Sequence, residues 1–85
     1  MTRNSKESIA TSIERQAELL VRAADDLPRS FKRAEHSFAK AVLLEVPKIR
    51  TGERSTTWAV EFRALVRERV QLVKLASGVI ASIHK

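Results

Sequence analysis

Residues 29–46 read RSFKRAEHSFAKAVLLEV, and the spacing inside this stretch decides the fold. At about 100° per residue, Arg29, Lys32, Arg33, His36 and Lys40 fall within an arc of about 100°. Phe31, Ala34, Phe38, Ala41 and Val42 occupy the opposite side. Such a segment is an amphipathic helix, with an oily face for a core and a basic face for water or a polyanion.

Working outward, Pro28 separates this helix from the one before it. Its ring disfavours helical geometry at Leu27 and suits the first turn of a new helix. Upstream, Ile9, Ile13, Ala17, Leu20, Ala24 and Leu27 alternate steps of four and three. They predict a first helix from Ser5 to Asp26, capped by Asn4 with Glu7 as a capping-box partner. Leu19 and Val21 widen its apolar face enough for two neighbours.

Downstream, Pro47 should kink or stop the second helix, because the carbonyl of Leu43 loses its donor. A bent continuation to about Arg50 also keeps the rhythm of Val42, Val46 and Ile49. Gly52 suits the left-handed position of the turn Thr51-Gly52-Glu53. A third helix then runs from Ser55 or Thr56 to about His84, with an apolar stripe of Phe62, Leu65, Val66, Leu72, Val73, Ala76, Val79, Ile80 and Ile83. Trp58 stands at its start as a lid on the core. Gly78 marks either a close helix crossing or a bend.

Short links imply antiparallel neighbours. Residues 1–85 are thus expected to form a single all-α domain, an up-down-up three-helix bundle with a long C-terminal helix overhanging its partners. Residues 41–46 are apolar nearly all round, with Leu43 and Leu44 pointing away from the core. A helix oily on every side is usually covered on every side. Leu43, Leu44 and Val46 are therefore expected at an interface, and oligomerisation is expected to complete the bundle. The monomeric alternative folds Val46 and Ile49 back over the pair at Pro47.

Two charges interrupt apolar faces. Arg69 falls mid-stripe on the third helix. A hairpin folded about residue 52 brings it level with Glu35, so a Glu35–Arg69 pair is expected, with snorkelling to solvent or a ligand phosphate as alternatives. Glu45 is placed to reach Arg54 or the start of the third helix.

The net charge of +6 is uneven. Residues 1–28 balance at −1, whereas residues 29–85 carry twelve cations against five anions. A nucleic-acid backbone would meet this later region through Arg29, Lys32, Arg33, His36 and Lys40, through Lys48, Arg50 and Arg54 around the turn, and through Arg63, Arg67 and Lys74 on the third helix. Such rows also serve simply as solvated faces. The aromatic interleaving of single-strand binders is missing, and both helices are too long for a helix-turn-helix.

Other classes fall away. The chain has no Cys and only two His, which excludes disulfides and argues against a zinc site. It shows no glycine-rich phosphate loop, nucleophile elbow or HExxH. Neither an enzyme nor a cofactor is expected. With neither a signal-peptide pattern nor a membrane-length apolar run, a cytoplasmic protein is expected. The leading expectation is an accessory protein that oligomerises and binds nucleic-acid backbone with low sequence specificity. The alternative is an adaptor that uses the collar at Leu43 and Leu44, with its basic face on an acidic protein.

Overall fold

The computed structural model describes residues 5–83. They form α1 (Lys6–Ala23), a 3-10 turn (Ala24–Asp26), α2 (Arg29–Arg50) and α3 (Thr56–Ile83), with no strand among them. The all-α reading holds.

The ends follow capping chemistry. Ser5 caps α1, its hydroxyl accepting from the Ser8 amide at 3.2 Å. The expected cap Asn4 lies outside the described residues. α1 stops three residues before Asp26, and a tighter turn carries the chain to Pro28. Ser55 caps α3, its Oγ accepting from Trp58 N at 3.0 Å. Gly52 has φ +87°, the left-handed turn position expected of it.

Pro47 neither stops nor interrupts α2, which continues to Arg50. Pro47 lies on the exposed side, where the Leu43 carbonyl that lacks its donor is open to solvation. The helix resumes its ladder at once, with Thr51 N donating to the Pro47 carbonyl at 3.0 Å.

α1 is the spine. Ile9, Ala10, Ile13, Ala17, Leu20 and Ala24 are fully buried, so the wide face expected of this helix does receive two neighbours. α2 and α3 each pack along it but scarcely approach one another, and the Cα trace spans 48 × 23 × 14 Å. The pairing of α2 with α3 expected from their short link is therefore corrected. The two meet at the turn and through long side chains, and otherwise leave a groove.

The core faces shift accordingly. On α2 the buried positions are Glu35, Ala39, Val42, Val46 and Ile49, turned by about 70° from the face expected. Phe31 and Phe38, expected inside, are 60% and 37% exposed. On α3 the core takes Ala59, Val66, Val70 and Val73, while Leu65, Leu72, Val79 and Ile83 face out. Beyond Val73 no described residue of α3 is fully buried, so its last turns overhang the bundle. α3 runs through Gly78 unbroken, and nothing lies within 4 Å of where its Cβ would stand, so no close crossing occurs there. No helix among the described residues is long and apolar enough to cross a membrane.

Candidate nucleic-acid interface and an open apolar groove

The basic residues of α2 remain together. Arg29, Lys32, Arg33, His36 and Lys40, with Ser37, line one shallow surface depression. Arg29, Arg33 and Lys40 are exposed and have no carboxylate within salt-bridge distance among the described residues. Lys32 reaches Asp25 at 3.8 Å, a weak exposed contact. His36 is half-buried, and its Nε2 is buried without a hydrogen-bond partner in the depression's wall.

Position along the helix adds to this. α2 begins at Arg29 and has no acidic residue in its first turn. Arg29 and Lys32 thus stand at the positive end of the helix dipole, where cations are disfavoured by a few tenths of a kcal/mol. An anion bound there relieves both the dipole and the crowded charges.

The cations around the turn are different. Arg50 donates from Nε to Glu7, at 3.0 and 3.1 Å, and from Nη2 and Nη1 to Glu14, at 2.9 and 3.4 Å. This clamp holds the Glu14 carboxyl below its ordinary pKa and raises that of the guanidinium. Arg54 donates from Nε to Glu45 at 2.9 Å and lies over the Trp58 ring at 4.8 Å. Lys48 meets the same Glu45 at 3.5 Å. Hydrogen bonding from Arg54, with the charges of both cations, holds the Glu45 carboxyl below its ordinary value despite partial burial. Of the three cations expected to meet phosphate here, Arg50 ties the end of α2 to α1 and Arg54 ties the turn to α2, whereas Lys48 only meets Glu45 one turn back on its own helix.

The row on α3 is separate too. Arg63 is half-buried, whereas Arg67 and Lys74 are exposed and unpaired among the described residues. Both rows turn away from the groove, so they lie on opposite flanks with α1 between them. The larger group of free cations on one surface is that of α2.

The collar also divides. Val46 is buried in the protein's own core and offers nothing to a partner. Leu43 is 42% exposed and borders α1 beside Ala17, Glu18, Val21 and Arg22, while Leu44 is 70% exposed.

A larger apolar surface lies in the groove between α2 and α3. One end is lined by Leu27, Phe31, Leu72, Val73, Ala76 and Ile80 around the Glu35–Arg69 pair. The other is lined by Phe38, Ala41, Val42, Trp58 and Phe62 above Glu45 and Arg54. Trp58 stacks on Phe62, centroids 4.7 Å apart, and so closes the turn end as a lid. Trp58, Phe62, Leu65, Arg69, Leu72, Ala76, Val79 and Ile83 alternate steps of four and three along α3. Phe31, Ala34, Phe38, Ala41 and Glu45 do so along α2. Each helix therefore carries two adjacent seams, one packed on α1 and one open. That four-three spacing was the available signal for the groove, masked because Arg69 and Glu45 interrupt it.

Among the described residues no three His, Cys, Asp or Glu side chains cluster closely enough to hold a metal ion. The architecture defines the class of the protein as a small, all-helical, basic three-helix assembly. No family model, curated protein or solved structure matches the chain significantly.

Proposed function

We propose that this chain is a non-enzymatic helical accessory protein that binds nucleic-acid backbone, with little sequence preference, through the basic face of α2. The observation that carries this reading is the row Arg29, Lys32, Arg33 and Lys40, three of its four cations unpaired, which starts at the positive end of α2. The row spans about 16 Å along the helix axis, enough to meet several phosphates of one strand. Flexible stems and point charges fix no base edge, so binding follows charge rather than sequence. The protein acts as an oligomer in the cytoplasm.

The test is a labelled duplex and a labelled single strand titrated across a salt series. With three or four cations engaged, log K against log salt for the duplex has a slope of about −2.7 to −3.6. The combined change of Arg29, Lys32, Arg33 and Lys40 to Glu abolishes binding. Absence of binding at about 50 mM salt, or binding that survives the four changes, sinks the reading.

A second reading has its own support in Leu44, 70% exposed beside the same basic face. It makes the chain an adaptor for an acidic helical protein. A failed nucleic-acid titration with the fold intact would favour it.

A further inference from the structure

We infer that the open groove between α2 and α3 is the contact surface for a second copy of this chain, packed face to face so that α2 of each protomer lies along α3 of the other. The inference does not rest on phosphate binding.

The first argument is area. Phe31, Phe38, Leu65, Leu72, Val79 and Ile83 are between 37% and 74% exposed. At on the order of 100 Å² each they form a patch of roughly 600 Å², at the top of the range for a monomer and close to the roughly 800 Å² per partner of a standard interface.

The second is spacing. A helix with one four-three seam packs on one neighbour, and a helix with two packs on two. α1 fills one seam of α2 and one of α3. Their open seams are splayed, so an occupant has to present a helix to each. A second copy presents both at once, and α2, α3 and their mates then surround one shared core, with the two α1 helices outside.

The third is symmetry. A two-fold axis running along the helices lays α2 on the other copy's α3 at the level set by the Glu35–Arg69 bond, and leaves the basic row of α2 outside the contact. The same operation projects both overhanging ends of α3 from one end of the dimer, where Val79 and Ile83 of the two copies cover one another.

The experiment is sedimentation equilibrium of the full chain, without nucleic acid, from about 1 to 100 μM. The expected species has twice the 9.6 kDa mass of the chain. Leu65→Glu with Leu72→Glu gives a monomer with unchanged helical circular dichroism, since both side chains are exposed within one copy. Lys74→Glu, on the opposite flank, leaves the mass unchanged. A monomeric wild type at the highest concentration, or a folded Leu65→Glu, Leu72→Glu variant that still dimerises, would each overturn the proposal.

Discussion

Arg69 donates from Nε and Nη2 to the two carboxylate oxygens of Glu35, at 2.8 and 2.6 Å, and ties α3 to α2 across the groove that otherwise separates them. Glu35 is the only charged side chain in the buried core among the described residues, at 7% exposed, while the Arg69 side chain is 47% exposed. The guanidinium also lies 5.7 Å from the centroid of the Phe38 ring. A carboxylate so placed tolerates burial only because two charge-assisted bonds replace its water.

Arg69→Ala is accordingly expected to lower stability by about 1–3 kcal/mol, the lower part of the range reflecting water that reaches Glu35 through the open groove. Glu35→Leu with Arg69→Met should recover most of the loss by removing the stranded charge together with its mate. Urea unfolding of the three proteins decides it. A loss in Arg69→Ala below about 0.5 kcal/mol would mean that Glu35 is solvated without Arg69.

Arg29 stands first in α2 and opposes the helix dipole, so its effects on stability and on binding should have opposite signs. Arg29→Asp is expected to raise stability by about 0.3–1 kcal/mol. The same change should weaken duplex binding and make the salt slope shallower by about 1. Thermal unfolding and the salt titration on one preparation give both readings. A less stable variant would show that Arg29 serves the fold rather than a ligand.

Acid should loosen the turn end of the bundle first. Glu14 and Glu45 have folded pKa values below the ordinary 4.5, held there by Arg50 and Arg54. A depressed carboxyl pKa contributes stability that is fully present above the unfolded value and lost as pH falls through the folded one. Stability should therefore be flat above the 4.5 of the free carboxyl and decline below it. The decline should be shallower in Glu14→Gln, Glu45→Gln. A doubly substituted protein with an unaltered acid limb would place the sensitivity elsewhere.

The pattern of apolar steps was enough to place α1, because every residue of its stripe has a neighbour in the same chain. Pairing was legible where a buried charge demanded it, as with Glu35 and Arg69, or Glu45 and Arg54. On α2 and α3 the same reasoning misassigned Phe31, Phe38, Leu65 and Leu72 to the core. A helical period shows that a face is apolar but not which neighbour it meets, and these helices have two such faces each. Ala39 and Ala59 are buried while the larger Phe31, Phe38, Leu65 and Leu72 are exposed, so size was a poor guide to burial. Among the site residues, the cations of α2 were legible as a free row. Those of the turn were not, because a charge map omits the carboxylates that folding brings to Arg50 from more than thirty residues away.

The two glycines should respond to alanine in opposite directions. Gly52 has φ +87°, in the region that excludes most side chains. A Cβ there would also come within 3.1 Å of Lys6 Nζ, though that flexible ammonium can move aside. Gly52→Ala should thus cost about 1 kcal/mol, nearly all of it from the backbone. Gly78 lies inside α3 with open space around it. Gly78→Ala removes only unfolded-state freedom and should stabilise the protein by about 0.5–1 kcal/mol. Calorimetry of the two variants checks the pair of signs. A destabilising Gly78→Ala would show that something does approach this face in solution.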